Sequence, residues 1–419
     1  MAVEHVEALV IGAGQAGIAA SEHLGKAGIP HLVLERARIA ERWQSERWDS
    51  LVTNGPVWHD RFPGMEFPQT PADGFAPKEE VAQYLSDYAR MIGAPIRTGV
   101  NVTRLSRESG HAGFFVKTSA GDFRADHVIA ATGAFQKPVI PPLVPERDEL
   151  TQLHSASYRN PAALPHGAVL VIGAGSSGVQ IAEELVAAGR RVFLSVGPHD
   201  RPPRRYRGRD FVWWLGVLGK WDASAPHAGT EHVTIAVSGA NGGHTIDFRR
   251  LAASGITLLG QAERLEGDIM HFKHDLAANI ARGDTNYLAL LDEADAYVKS
   301  FGLDLPEDPD ARVFGPEPDC VKRPVHSLDL EREDIHTILW ATGYAQDYSW
   351  IDLGVFDDRG RPLHRRGASS EPGLYFLGLP WQSRRGSSFL WGVWHDARHI
   401  ADLIAIQRNY RDYRPGSDP

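Results

Sequence analysis

Cysteine is nearly absent from this chain of 419 residues, in which Cys320 is the single example. A disulfide within the chain and a CxxC redox pair are therefore both impossible. This count excludes enzymes whose catalysis needs a pair of thiols.

An excess of positive charge and long apolar runs are also missing. The 44 Lys and Arg residues face 53 Asp and Glu, and the net charge of −9 argues against a nucleic-acid partner. The run Phe211 to Leu218 is too short to span a bilayer. The apolar stretch Ala8 to Ala20 lacks the basic leading segment of a signal peptide. We expect a cytoplasmic protein with no integral membrane segment and with two or three domains.

An internal repeat organises the chain. Residues 10–17, VIGAGQAG, recur at 171–178 as VIGAGSSG, and the ATG of residues 131–133 recurs at 341–343. Each GxGxxG follows a short apolar run typical of a buried parallel strand, and opens a segment with helical periodicity. This context predicts an α/β fold with two Rossmann-like dinucleotide-binding domains. The strands are predicted at Ala8–Ile11, Leu32–Leu34, Val169–Ile172 and Val192–Leu194, and the helices at Ile18–Lys26 and Val179–Ala188.

Each glycine loop is a candidate diphosphate site. The glycines allow a tight turn and close approach of a ligand to the backbone, and the helix N-terminus presents free N–H groups to the phosphates. The first site is predicted to comprise Gly12, Gly14, Gln15, Ala16 and Gly17, and the second Gly173, Gly175, Ser176, Ser177 and Gly178. Thr132-Gly133 and Thr342-Gly343 end strands whose tips are expected to return near the cofactors.

The residues after the second strand of each copy distinguish the two sites. Glu35, with Arg36 beside it, stands where a carboxylate binds the ribose of an adenosine, which suits FAD. The second copy has Ser195 and Val196 there, and Arg201, Arg204 and Arg205 follow. A missing acid with arginines nearby predicts a 2′-phosphate site and hence NADPH, with NADH as the alternative donor. The same arginines could instead form a solvated loop or contact another domain.

Five segments resemble the flavin-containing monooxygenase family (class B flavoprotein monooxygenases) and its bacterial CzcO-like branch. The resemblance covers most of the chain except roughly 210–320. The segments are residues 41–51 (a GxWR…YDSL-like stretch with Glu41 in place of glycine), Asn54-Gly55-Pro56, residues 153–158, the ATGY of residues 341–344, and residues 373–382.

The resemblance implies roles for several residues. Arg42 and Trp43 would lie along the flavin with Val102, and Asn54 would be the catalytic residue at the flavin C4a/N5 edge. Tyr344, Gly378 and Gln382 would complete the cofactor site, before a last helix from about Ser388 that points its N-terminus at the flavin. Asn-Gly-Pro is also a good turn sequence on its own, and His154 is expected to be a structural or gating residue.

The family also implies a domain plan with disulfide-reductase-like topology. The FAD-binding domain would comprise residues 1–158 and 325–410, with an NADPH-binding domain of 159–324 inserted and a polar tail at 411–419. Residues 210–320, with a helix over Leu276 to Phe301, are expected to form a helical insertion that lines a substrate entrance, covers the cofactors or belongs to the core. His395 and His399 lack an HExxH context, so no metal site is predicted.

The function implied by the resemblance is that of an FAD-dependent, NADPH-consuming monooxygenase. It would insert one oxygen atom from O2, through a C4a-hydroperoxyflavin, into a sulfur or nitrogen centre of a small molecule. An NAD(P)H-dependent ferredoxin or quinone reductase, a Baeyer–Villiger monooxygenase and a non-catalytic redox-sensing flavoprotein remain open alternatives. The expected partners are a small-molecule substrate and O2, and the family suggests a homodimer.

Overall fold

In this computed structural model, residues 3–108, 110–224 and 234–414 are described. The strands are β1 (Glu4–Ile11), β2 (His31–Leu34), β3 (Ile96–Arg97), β4 (Val102–Ser106), β5 (Phe114–Thr118), β6 (Phe123–Ala130), β7 (Lys137–Pro138), β8 (Thr151–His154), β9 (Ala168–Ile172), β10 (Val192–Ser195), β11 (Arg205–Tyr206), β12 (Arg209–Asp210), β13 (Ile256–Leu259), β14 (Ala262–Glu266), β15 (Ile269–Phe272), β16 (Ser327–Asp329), β17 (Ile335–Trp340), β18 (Tyr344–Ala345), β19 (His364–Arg365), β20 (Ala368–Ser369) and β21 (Leu374–Phe376). The helices are α1 (Gln15–Lys26), α2 (Glu41–Ser45), α3 (Lys78–Met91), α4 (Ser176–Ala187), α5 (Phe211–Val217), α6 (Phe248–Ala253), α7 (Leu276–Phe301), α8 (Asp319–Lys322) and α9 (Val393–Asp412).

Two parallel sheets carry the two glycine loops. The first contains the order β21-β6-β1-β2-β3, and the second has the order β8-β17-β9-β10-β13. All neighbours within these two five-strand orders are parallel. Antiparallel β4, β5, β19 and β20 extend the first sheet. The predicted α/β fold with two Rossmann-like units is confirmed.

Continuous apolar runs explain why the central strands are parallel and internal. All five residues of β9 are buried, as are the last four of β1. Parallel sheets are covered by helices on both faces, so their strands need apolar residues in both directions. On one face of the first sheet, Val10 packs in a single cluster with Ile18 of α1 and with Ile400 and Ile404 of α9.

The second sheet includes strands from outside residues 159–324, the predicted NADPH-binding insertion. Strands β8 and β17 were assigned to the FAD-binding domain by the boundaries at 158 and 325, but both pair within the second sheet. Strand β17 pairs with β9 as β6 pairs with β1, so each ATG strand lies beside the strand of its own fingerprint. The boundaries at 158 and 325 therefore do not coincide with the edges of this sheet, because strand pairing over long sequence separation leaves no local signal.

The middle of the chain is only partly helical. The helix predicted over Leu276–Phe301 is confirmed as α7, but residues 256–272 of the same region form β13, β14 and β15. The last helix begins at Val393 rather than near Ser388, because turns precede it. It continues to Asp412, which shortens the predicted tail, and residues 415–419 of that tail lie outside the described residues. No helix in the described ranges is long and apolar enough to cross a membrane.

Candidate functional site

The first glycine loop joins β1 to α1 at the edge of the first sheet. Gly12 has φ of +108°, and a Cβ atom there would lie 2.6 Å from the carbonyl oxygen of Ala131. Only glycine fits this turn. The space around Gly14, the residue that precedes α1, is open within 4 Å. A diphosphate could therefore approach the N-terminus of α1, whose free N–H groups and dipole favour an anion.

Glu35 follows β2 and is fixed beside this loop. Its two carboxylate oxygens accept hydrogen bonds from the backbone N–H groups of Ala13, at 2.8 Å, and Ala37, at 3.0 Å. The carboxylate is thus held at the position where a ribose hydroxyl would donate to it.

A cleft extends from Glu35 to the turns before α9. The predicted residues that line it are Gly12, Gly14, Gln15, Ala16, Glu35, Arg36, Arg42, Trp43, Val102, Thr132, Gly133 and Gly378. Gly17 lies in α1 behind the loop. The far end of the cleft is joined to the glycine loop because Gln15 Nε2 donates to the carbonyl oxygen of Ser388, at 2.8 Å. An elongated cleft with a glycine loop, a ribose-facing carboxylate and an aromatic wall fits a flavin dinucleotide.

Fourteen further residues line the cleft that were not among the predicted site residues. Arg47 contacts the rings of Trp43 and Phe135, at 5.7 and 5.4 Å. Burial lowers the pKa of Arg47, and Tyr344 opposes this shift. Arg47 lies in the family-like segment 41–51, but no local pattern marks three others, which come from separate turns that meet only in the fold: Asn101, Gln136 and Trp350.

The second glycine loop, between β9 and α4, reproduces the first. Gly173 has φ of +107°, and a Cβ there would lie 2.4 Å from the carbonyl oxygen of Ala341. The loop continues through Gly175 to Ser176, Ser177 and Gly178 at the start of α4. Ser176 Oγ donates to the carbonyl oxygen of Ile235, at 2.8 Å, so the segment near Ile235 borders this loop. The glycine turn and helix N-terminus fit a second dinucleotide.

Two of the three arginines predicted to bind a 2′-phosphate are already neutralised. Arg201 is 1% exposed and forms an ion pair with Asp284, at 2.5 Å. Arg204 is 3% exposed and forms an ion pair with Asp210, also at 2.5 Å. A 2′-phosphate contact by either arginine would have to compete with these ion pairs, because buried charges need partners and these partners come from the chain itself.

The other two residues predicted near this phosphate differ in exposure. Ser195 is buried, and its hydroxyl donates to the carbonyl oxygen of Gly260 and accepts from the N–H of Ala262. Its hydroxyl therefore already has a donor and an acceptor within the chain. Arg205 is exposed and donates to the carbonyl oxygens of Gly242 and Gly243.

Asn54 lies in the segment between α2 and α3, and its side chain contacts α4 of the second glycine-loop unit. Its side-chain oxygen accepts a hydrogen bond from Gln180 Nε2 of α4, at 2.9 Å, and Gln180 also donates to the carbonyl oxygen of Val237, at 2.7 Å. Arg204 donates to the backbone carbonyl oxygen of Asn54, at 2.6 Å. The amide nitrogen of Asn54 forms no hydrogen bond with the described residues, so this donor is available.

Asp60 stabilises the same turn from the other side. One carboxylate oxygen accepts from the N–H of Gly55, at 3.1 Å, and the other contacts the His59 ring nitrogen Nδ1, at 2.7 Å. The Asn-Gly-Pro sequence is therefore a rigid turn in addition to any chemical role.

The second ATG motif, residues 341–343, forms hydrogen bonds that connect it to neighbouring segments. Thr342 Oγ1 donates to the carbonyl oxygen of Val139. His154 Nδ1 accepts from the N–H of Ala156, so the proton resides on Nε2, which donates to the carbonyl oxygen of Gly343, at 3.0 Å. Burial lowers the pKa of His154, and the bond to Gly343 opposes the shift. Tyr344 packs edge-on against His154, with ring centroids 4.9 Å apart.

The segment before α9 completes the cleft. Gly378 lies against Ala16, since a Cβ on this glycine would be 3.1 Å from the Ala16 methyl. Gln382 is 4% exposed, and its side-chain oxygen accepts from the N–H of Leu379, at 3.3 Å. Gln382 thus fixes the turn and does not line the cleft.

Comparisons with known proteins agree with this architecture. A family described as pyridine nucleotide-disulphide oxidoreductase matches residues 9–206. An oxidoreductase named CzcO-like from Geobacillus kaustophilus is 34% identical over 404 residues, which cover 95% of this chain and 98% of that protein. The probable indole-3-pyruvate monooxygenase YUCCA1 of Arabidopsis thaliana is 27% identical, with 98% of this chain and 91% of that protein covered. A flavin-containing monooxygenase from Stenotrophomonas maltophilia has the same fold, with a TM-score of 0.65 at 21% identity over 97% of this chain and 100% of that one.

The disulphide chemistry in the first description does not extend to this chain, whose single cysteine is Cys320. The match over nearly the whole length of the CzcO-like protein agrees with the two glycine loops and the cleft. The chain therefore belongs to the flavin-containing monooxygenase family, in its CzcO-like branch, and is an oxidoreductase that works with flavin and nicotinamide cofactors.

Proposed function

We propose that this enzyme is an FAD-dependent, NADPH-consuming monooxygenase that oxygenates a sulfur or nitrogen centre of a small molecule. For a sulfide, the balanced reaction converts sulfide, O2, NADPH and one proton to sulfoxide, water and NADP+. Sulfur loses two electrons to one oxygen atom, and NADPH supplies the two electrons that reduce the other to water.

The observation that carries this proposal is the position of Asn54. A hydrogen bond at 2.9 Å joins its amide to Gln180 of the helix that opens at the second glycine loop. A dinucleotide reductase needs only the two nucleotide sites. A polar amide that is held by the helix of the second glycine loop, and whose donor is unused within the described residues, suits an enzyme that must also hold oxygen and an oxygen acceptor in a fixed geometry.

The chain's own residues supply binding and orientation. FAD would be held by the Gly12–Gly17 loop, by Glu35 and by the cleft that contains Arg42 and Trp43. NADPH would be held by the Gly173–Gly178 loop. Bound flavin supplies the electron transfer and oxygen activation, which no side chain provides. The residue directly after β10 is Val196 rather than an acid, which favours NADPH over NADH, since an acid at that position would repel a 2′-phosphate.

Isotope incorporation tests the reaction directly. The purified flavin-loaded enzyme is supplied with NADPH, 18O2 and methyl phenyl sulfide. One labelled oxygen in the sulfoxide supports the proposal. Rapid NADPH oxidation with a quinone or ferredoxin, without labelled product from sulfides or amines, would assign a reductase. Labelled ester from a cyclic ketone, without sulfoxide, would assign a Baeyer–Villiger enzyme.

A further inference from the structure

A second, smaller pocket lies beside α5, α7 and the turns that precede α9. Its walls combine apolar side chains with charges of both signs, namely Leu215, Leu290, Asp200, Lys220, Glu293 and Arg385. We call it the Arg385 pocket. Opposite charges in one small pocket complement a ligand that carries both charges itself.

Two of the four charges are satisfied and two are not. Lys220 Nζ pairs with Glu293, at 2.7 Å. Within the described residues, the guanidinium of Arg385 and the carboxylate of Asp200 form neither a hydrogen bond nor an ion pair. Burial lowers the pKa of Arg385, and the nearby charge of Asp200 opposes this shift. A partly buried guanidinium with five unused donors is costly to maintain unless a ligand supplies the acceptors.

The pocket is close to the cofactor cleft along the chain. The backbone N–H of Arg385 donates to the carbonyl oxygen of Ala223, at 2.9 Å, and that of Gly386 donates to Trp221, at 3.1 Å. Ser388, which lines the cleft, follows three residues after Arg385. Three residues span at most about 11 Å. The Cα atoms of Arg385 and Ser388 are thus at most about 11 Å apart, so one short segment contributes to both the pocket and the cleft.

Aromatic rings lie beside the pocket. Trp221 packs edge-on against Phe389 and Trp391, with ring centroids 5.4 and 5.3 Å apart. Leu215 and Trp221 belong to one apolar cluster, so the pocket's apolar side is continuous with these rings. This surface suits an apolar or thioether group better than a second charge.

We propose that the Arg385 pocket binds the charged end of a zwitterionic amino-acid substrate. Arg385 takes the carboxylate in a two-pronged contact, and Asp200 takes the ammonium group. The thioether or amine side chain then extends past the aromatic rings to the cofactor cleft. This assignment rests on the proposed monooxygenase function and names its substrate class.

Paired substrates test the assignment. S-Benzyl-L-cysteine and benzyl methyl sulfide share the reacting thioether, but only the first carries the amino-acid group. We expect a KM at least about tenfold lower for the amino acid, as one charged bidentate contact provides. Arg385→Met is expected to remove this advantage and to leave the KM of the neutral sulfide unchanged. Arg384→Met is the matched control, because the neighbouring Arg384 pairs with Asp222 instead.

Binding of S-benzyl-L-cysteine, measured by calorimetry in the absence of NADPH, tests the pocket independently of the oxygenation reaction. Binding that Arg385→Met and Asp200→Asn both weaken, with no oxygenated product once NADPH and O2 are supplied, would support the pocket and refute the oxygenase. Oxygenation of both sulfides with equal KM, or equal effects of Arg385→Met on both, would refute the pocket and leave the oxygenase standing. If Arg385→Met does not retain flavin, Arg385→Lys tests the same contact, with a smaller rise in the amino-acid KM expected.

Discussion

Replacing Gln180 with glutamate tests the link between the second glycine helix and Asn54. Gln180 is 7% exposed, and its amide nitrogen donates to Asn54 Oδ1 and to the carbonyl oxygen of Val237, at 2.9 and 2.7 Å. An ionised glutamate of the same size can only accept hydrogen bonds. The side-chain amide of Asn54 is expected to flip, so that its NH2 group donates a hydrogen bond to the new carboxylate.

The magnitude follows from the hydrogen bonds that are lost. One neutral hydrogen bond contributes about 1 kcal/mol, and the unsatisfied carbonyl of Val237 costs about 1–3 kcal/mol. Since 1.4 kcal/mol corresponds to a factor of ten, we expect product formed per NADPH to fall at least about tenfold in Gln180→Glu at neutral pH. Burial between two oxygens raises the pKa of the introduced carboxyl. Its protonated form can donate a hydrogen bond again, so the amount of product formed per NADPH should recover as the pH falls.

The assay measures sulfoxide and hydrogen peroxide per NADPH consumed, from neutral to mildly acidic pH. Gln180→Met should show the loss without recovery in acid. Gln407→Glu is the matched control, because its side-chain oxygen only accepts from Tyr375, at 3.2 Å. Normal coupling of Gln180→Glu at neutral pH, with full flavin content, would refute the reasoning.

Three further changes probe the cofactor sites and the stability of the fold. Glu35→Ala should raise the Kd for FAD at least about tenfold, through the lost ribose contact; full flavin content after dialysis would contradict this. Arg204→Met should lower the free energy of unfolding in urea by about 3–5 kcal/mol, because Asp210 stays buried without its partner. The KM values for NADPH and NADH should change equally in that variant, and a selective rise for NADPH would restore the phosphate role. Burial lowers the pKa of His23 from 6.5 to about 4. As the pH falls through this interval, His23 therefore takes up a proton in the unfolded chain before it does so in the folded one. This group lowers the free energy of unfolding there by at most about 3 kcal/mol. His23→Phe, which keeps the ring contact with Trp394, should flatten that slope in pH-dependent unfolding.

The nucleotide-binding elements were predictable because their signals are local. The turn at Gly12 and the carboxylate of Glu35 depend on residues within one strand–helix–strand unit, and that unit repeats at 171–178. Helix α7 matched its predicted bounds because its apolar periodicity and the glycine that follows it are both visible in the sequence.

The phosphate contacts of Arg201 and Arg204 could not be judged from the sequence. Their spacing after β10 suits an anion, but their partners Asp284 and Asp210 were not distinguishable from other acids. The set of strands in each sheet could not be predicted from the sequence either, because β8 and β17 are separated by more than a hundred residues and pair only in the folded chain.

The sequence by itself determined the duplicated α/β architecture, the two glycine loops and the exclusion of dithiol chemistry. Each of these depends on residues adjacent in the chain or on a count. Tertiary structure alone decided which charges are free, which side chains hold Asn54, and where a second pocket forms. Those properties depend on groups brought together by packing, and burial makes the pairing of each charge decisive for what it can bind.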